Sequence, residues 1–182
     1  MSSSVSSDRN PFSAPEPVAV QNAGLVLLHN HIPMLFNMCG YLNQGKFKDA
    51  TMAHRAVHLL HFVATGQEQA DDAHLRFSKL LCNVPVMQQV EKDIVLLDSE
   101  KELSLSLLRN VVTQWTILNN ISVNALRESF IIRHGKLDES ATDKITLTVD
   151  HVTFDMLLDK LPWSYTPVCF PWMTRAVHAK WR

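Results

Sequence analysis

Glycine and cysteine are scarce in this sequence. It has only five glycines, and none lies in a GxGxxG or GxxxxGK[ST] pattern, which excludes a glycine-rich phosphate-binding loop. The three cysteines, Cys39, Cys82 and Cys169, are odd in number and form no CxxC pair. This argues against a disulfide framework and for a reducing compartment. All three have apolar neighbours and no activating context in the sequence, so we do not expect a nucleophilic cysteine.

Long apolar runs and an excess of one charge are also missing. No segment reaches the 18 or so apolar residues that a membrane span needs, and the first residues do not read as a secretory signal. Lysine plus arginine number 17 against 18 for aspartate plus glutamate, which disfavours nucleic-acid binding through bulk charge. We therefore predict no nucleic-acid partner and no direct membrane span.

The remaining composition is that of a packed domain. Apolar residues make up 46% of the chain and charged residues 19%, which is enough apolar material for a core. Residues 1–22 are rich in serine and proline and are predicted to be a disordered leader, with the folded domain over 23–182. Helical spacing dominates until Ile145–Val149, which alternates like a strand. The predicted fold class is α+β, mostly α-helical, with four to five helices and a small C-terminal β-element.

Two helices carry clear start and stop signals. Asp49 is a suitable N-cap for a helix over Ala50–Thr65, and Gly66 suits the left-handed position after its end. Ser99 and Glu102 have the spacing of a capping box at the start of a second, longer helix. These signals predict the two main helices of the domain.

Two Pro-Trp pairs distinguish the stretch Leu157–Met173. Each proline fixes its own φ angle and disfavours helix in the preceding residue. A helix through Asp155–Lys160 is therefore predicted to end near Leu161 and to be followed by a stiff, extended path. Tryptophan suits both a core position and a binding interface, and both interpretations stay open here. The candidate interaction residues are Pro162, Trp163, Pro171, Trp172, Met173 and Trp181.

Three histidines on one predicted helix are the weak candidate for a metal site. His54, His58 and His61 lie at positions i, i+4 and i+7, and two histidines four residues apart can bind a metal. A zinc hydrolase also needs a general base, as in HExxH, but Arg55 follows the first histidine. The pattern favours an amphipathic helix with histidines at the border of the core, so no metal site and no cofactor are predicted.

Paired carboxylates are the other candidate for catalysis. Asp155 and Asp159 lie four residues apart on one predicted helix. Near a helix start, Asp155 is better explained by a favourable interaction with the helix dipole. No catalytic residue is predicted.

Several segments, taken together in their order, resemble a known family. The chain is similar over about residues 23–182 to the C-terminal domain of tape measure proteins of bacterial contractile injection systems. The segments that carry this resemblance are AGLVLLHNHIPMLF, RAVHLLHFVATG, KLLCNVP, QWTILNNISVNALRESFIIRHGKL and FDMLLDKLPWSYTPVCFPWM. Within them, the positions matching the family's signature are Arg55–Gly66, Lys79–Pro85, Trp115, Ser122, Leu126–Phe130 and Leu161–Met173.

The resemblance implies a structural component and not an enzyme. It implies assembly in the bacterial cytoplasm, a later place inside the injection particle, and partners among the tube, spike or baseplate proteins. Family members are usually longer, so this chain unfolds in the tube, is a fragment, or docks without measuring length. Two alternatives stay open: a metal-dependent enzyme or effector centred on the three histidines, and a cargo adaptor or chaperone.

Overall fold

The computed structural model describes residues 15–181. The α-helices are α1 (Ile32–Met38), α2 (Ala50–Thr65), α3 (Arg76–Leu81), α4 (Asp98–Gln114) and α5 (Val123–Leu126), and α5 continues into a π-helical turn over Arg127–Ile131. Two longer 3-10 helices cover Ala23–Leu28 and Thr153–Lys160. Shorter 3-10 turns cover Asp72–Leu75 and Thr116–Leu118. The strands are β1 (Val18–Val20), β2 (Leu42–Asn43), β3 (Lys46–Phe47), β4 (Gly135–Asp138), β5 (Lys144–Val149) and β6 (Ala176–Lys180).

The predicted fold, four to five helices with a small C-terminal β-element, is wrong. Within residues 15–181 the chain forms seven helices and six strands in two sheets. The helix over Ala23–Leu28 was missed because a short, fully buried apolar run has no amphipathic period. The hairpin of β2 and β3 was missed because Gly40 and Gly45 suggested only a break in the chain.

The larger sheet joins both ends of the described chain. Its strand order is β1-β4-β5-β6, antiparallel except for the parallel pair β5 and β6. Strand β1 lies inside the segment predicted to be a disordered leader, residues 1–22, whereas residues 1–14 lie outside the described part. The sheet therefore begins at the N-terminal side of the chain and is not confined to the C-terminal region.

Helix α2 lies at the centre of the helical part. It packs against α3, α4 and the π-helical turn, and most of its side chains are buried. Its predicted boundaries are confirmed: Asp49 Oδ1 accepts a hydrogen bond from Met52 N at 2.8 Å, and Gly66 adopts φ 75°. Both ends of the helix thus find partners for backbone groups that the helix itself leaves unpaired.

The 3-10 helix Ala23–Leu28 packs directly on the π-helical turn. A Cβ atom at Gly24 would lie only 1.7 Å from Phe130 O, so no larger residue fits without moving backbone. Ala23 N also donates to Arg133 O at 3.0 Å. This close contact connects the first buried segment of the chain to the turn that precedes β4.

The capping box predicted from Ser99 and Glu102 is not formed, because α4 begins at Asp98. Glu100 caps the start of α4 instead, because its Oε2 accepts a hydrogen bond from Leu97 N at 3.0 Å. The same carboxylate receives two hydrogen bonds from Arg55, both at 2.9 Å. This buried ion pair joins α2 to the start of α4.

No helix among residues 15–181 combines the length and the apolar character that crossing a bilayer requires.

Candidate interaction site

The Pro-Trp segment, Leu161–Met173, begins where the 3-10 helix Thr153–Lys160 ends. Leu161 is extended, with φ −66° and ψ 124°, as expected for a residue before proline. Further along, Val168 and Val177 exchange two backbone hydrogen bonds of 2.8 Å, and Ala179 N donates to Thr166 Oγ1 at 2.9 Å. The segment therefore covers the outer edge of β6, which would otherwise expose unpaired backbone groups.

Trp163 joins this segment to the chain just before α1. Its Nε1 donates to Leu27 O at 2.7 Å, and its ring meets the His31 ring edge-on with 5.4 Å between centroids. His29 Nε2 donates to Ser164 O at 2.6 Å. Burial, with a smaller effect from His29, lowers the pKa of His31, which keeps this imidazole neutral at pH 7. The half-buried indole thus connects the Pro-Trp segment to the residues that precede α1.

Trp172 is a core residue. Its Nε1 donates to Leu81 O at 2.7 Å, which connects the segment to the end of α3. Next to it, Lys46 Nζ donates to Pro171 O at 2.8 Å and so holds the hairpin of β2 and β3 against the segment. The indole packs against three phenylalanine rings, with centroids 4.8 to 5.6 Å away: Phe36, Phe47 and Phe170.

The indole N–H of Trp181 belongs to a buried ionic cluster. Its Nε1 donates to Asp155 Oδ2 at 3.0 Å. The same carboxylate accepts hydrogen bonds from Arg133 Nη1 at 2.6 Å, from Arg133 Nη2 at 2.9 Å and from Val152 N at 3.0 Å. Burial alone would raise the pKa of Asp155, but these hydrogen bonds and the arginine charge together hold it below its usual range. The cluster fixes the end of β6 to the chain that precedes β4.

Sequence reasoning missed the arginine of this cluster. Asp155 was interpreted as a residue that supports the start of a helix, and it does accept from Val152 N. Its buried partner Arg133 is 22 residues away in sequence, and no spacing rule relates the two positions. Nothing in the sequence around Arg133 marks it as the partner of a buried carboxylate.

The candidate interaction residues divide into buried and exposed positions. Trp172 and Trp181 are buried, Trp163 and Met173 are half-buried, and Pro162 and Pro171 are exposed. All four indole N–H groups in the chain donate to atoms of the chain itself. The rings therefore stabilise the surface, and the exposed residues of Leu161–Met173 are Pro162, Ser164, Pro167, Cys169 and Pro171.

The three histidines of α2 contact the protein itself. His58 Nε2 donates to Glu91 O at 2.6 Å, and His54 Nδ1 accepts from Glu91 N at 3.2 Å. His61 Nε2 lies 3.3 Å from Thr65 Oγ1, and burial lowers the pKa of His61 to about 4. Over residues 15–181 no three or more His, Cys, Asp or Glu side chains are grouped so as to hold a metal ion. Two of the histidines instead fix the loop around Glu91 to α2.

Two of the cysteines are set among apolar side chains. Burial raises the pKa of Cys39 to about 11, and it raises the pKa of Cys82 well above its usual range. Both are therefore neutral thiols at pH 7, the unreactive form of the side chain.

These features define a structural domain in which the aromatic residues serve internal packing and the ionic groups join distant segments. A family model described as contractile injection system tape measure protein matches residues 2–181, so the chain belongs to that family. The resemblance stated from the sequence is thus confirmed. No curated protein and no solved structure matches the chain. Family membership implies a component of the injection particle that interacts with other injection-system proteins.

Proposed function

We propose that this chain is a structural, non-enzymatic part of a contractile injection system that docks to the baseplate or spike while the tube assembles. The observation that carries the proposal is the family match over residues 2–181. Assembly takes place in the bacterial cytoplasm, and the chain then stays within the particle. Its direct partners are tube, spike or baseplate proteins.

The packing of the Pro-Trp segment supports a docking role. Two indoles fix the segment to the end of α3 and to the 3-10 helix Ala23–Leu28, and Trp181 fixes the end of the adjacent strand β6 to the buried Asp155. A surface held in this way loses little conformational entropy when a partner binds, because it is already ordered. The candidate residues Pro162, Trp163, Pro171, Trp172, Met173 and Trp181 therefore act mainly by presenting a rigid surface.

The size of the folded part bears on length control. A compact domain of this size has a radius of gyration of roughly 15 Å, whereas a continuous helix rises about 1.5 Å per residue. Residues 15–181 in their folded form therefore contribute to length control by fixing a position on the tube, and not by spanning it.

Co-expression with the tube, spike and baseplate proteins of the same gene cluster tests this function. The tagged chain should retain at least one of these proteins through affinity purification and size-exclusion chromatography. An unrelated tagged domain of similar size, expressed with the same set, serves as the control. A folded monomer that retains none of the particle proteins would contradict the proposal.

A further inference from the structure

Helix α1 presents the most exposed apolar ridge next to the Pro-Trp segment. Met34 is 69% exposed and Met38 is 61% exposed, although large apolar side chains elsewhere in the domain are mostly buried. The two lie four residues apart and therefore on the same face of the helix. Methionine is a flexible, polarisable side chain that is common on surfaces that bind helices. The exposure of two neighbouring methionines marks a candidate interface.

A groove runs along one side of this ridge, between α1 and α4. Its far wall is formed by Leu103 and Leu107, which are also four residues apart, and Ser106 and Asn110 follow beside them with the same spacing. On both walls the lining side chains therefore recur every four residues, about one helical turn. Such a surface fits the side-chain ridges of a third helix, which recur at three and four residues.

A second groove borders the other side of the ridge. Met34 lines both grooves, and Pro171 and Trp172 form part of the second one. The methionine ridge is therefore continuous with the surface that the Pro-Trp segment stabilises. The combined surface joins α1, α4 and the segment in one apolar area.

Charge distinguishes this area from the rest of the molecule. None of the described residues that line either groove is Asp, Glu, Lys or Arg, whereas such residues make up 19% of the chain. The polar groups at the groove margins are neutral, such as Asn30 and Asn110. A low content of charged side chains together with exposed methionine is typical of the centre of a protein interface. A partner that enters the groove between α1 and α4 must present an uncharged, apolar surface there, because none of the described residues lining that groove supplies a counter-charge.

We propose that Met34 and Met38, with the groove toward Leu103 and Leu107, bind an amphipathic helix of another injection-system protein. The apolar face of that helix enters the groove, and its charged face stays in solvent. This inference rests on the proposed docking function and specifies its surface and the kind of partner. The Pro-Trp segment then supports the second groove without supplying the main contacts.

The test compares two double variants of the full chain in the co-expression experiment. Met34→Lys with Met38→Lys places two charges in the uncharged groove and should weaken capture of the particle protein at least about tenfold. Met87→Lys with Met156→Lys is the matched control, since these methionines are 73% and 59% exposed and lie outside both grooves. Both variants should keep the far-UV circular dichroism spectrum of the wild type.

The outcomes separate this inference from the proposed function. Loss of capture in the groove variant alone supports the inference. Equal capture by both variants and the wild type would overturn the inference and leave the docking function intact. Failure of the wild type to capture any particle protein would overturn both.

A photo-crosslinking residue at position 38 identifies the occupant. Crosslinks to residues three, four or seven apart on a particle protein are expected for a bound helix. Crosslinks to a second copy of this chain, or to residues that alternate as in a strand, would overturn the proposed partner.

Discussion

The Pro-Trp segment and the α1 surface lie side by side, and both are apolar, but they differ in what their side chains contact. In the segment, Trp172 is buried among aromatic rings and its N–H is bound to Leu81 O. On α1, Met34 and Met38 are exposed and lie beside grooves in which none of the described lining residues is Asp, Glu, Lys or Arg. Tryptophan pairs suggested an interface in the sequence, but it is the methionine ridge that has the exposure an interface needs.

The difference shows that residue type alone does not decide between core and interface. A stiff backbone with indoles can equally brace a fold or contact a partner. Here Trp172 and Trp181 are buried and each indole N–H donates within the chain, an arrangement that stabilises the fold.

Breaking the buried cluster should have the largest effect. Asp155→Ala leaves Arg133 buried without its carboxylate and removes the acceptor of the Trp181 indole. We expect the free energy of unfolding to fall by about 3–5 kcal/mol, measured by chemical denaturation. Asp143→Ala, at an exposed position, is the control and should change stability by less than about 0.5 kcal/mol. Similar small losses in both variants would show that the cluster contributes little.

Acid should destabilise the domain through His61. Because burial lowers its folded pKa from 6.5 to about 4, the unfolded chain binds the proton more readily. The stability that depends on a neutral His61 is fully present above about pH 6.5 and is lost as the pH falls toward 4. Between pH 7 and pH 4.5 the unfolding free energy of the wild type should fall by roughly 1–3 kcal/mol more than that of His61→Gln. An unchanged difference between the two pH values would refute this role.

Replacing each indole by a phenyl ring should distinguish the buried Trp172 from the half-buried Trp163. Trp172→Phe leaves Leu81 O without its donor and removes part of a buried ring, and we expect a loss of about 1–3 kcal/mol. Trp163→Phe should cost less, because water can reach the half-buried site and replace the donor to Leu27 O. Denaturation of the two variants under the same conditions measures the difference. A larger loss for Trp163→Phe would reverse the assignment.

Truncating the ridge should have the smallest effect on stability. Met34→Ala with Met38→Ala removes side chains that are already mostly in solvent, so we expect a change within about 0.5 kcal/mol. Thermal unfolding of this variant beside the wild type measures it. A loss above about 2 kcal/mol would mean that the methionines belong to the core of the domain and not to a binding surface.

Features with a local physical cause were predictable from the sequence. Helix α2 was placed correctly because Asp49, Gly66 and the apolar positions between them all act within a few residues. Asn83 adopts φ 57°, the left-handed conformation that an asparagine after a helix favours. Ser122 caps α5, since its side chain accepts from Ala125 N, and serine is a common residue at this position.

Features that depend on distant contacts were not predictable. Strand β1 exists because Val18–Val20 pairs with β4, more than a hundred residues later, and nothing local marks it as a strand. The ion pair of Arg133 with Asp155 also joins separate segments. The grooves beside α1 combine residues of α1, α4 and the Pro-Trp segment, and only the packed structure brings these together.

The most direct test of the account compares the free energies of unfolding of two double variants. Trp163→Ala with Trp172→Ala should lose more than about 4 kcal/mol or fail to fold, because it removes two internal braces and leaves a core cavity. Met34→Lys with Met38→Lys should unfold at the denaturant concentration of the wild type. A tryptophan variant with wild-type stability would contradict the account, since the indoles would then be surface residues and not the supports of the fold.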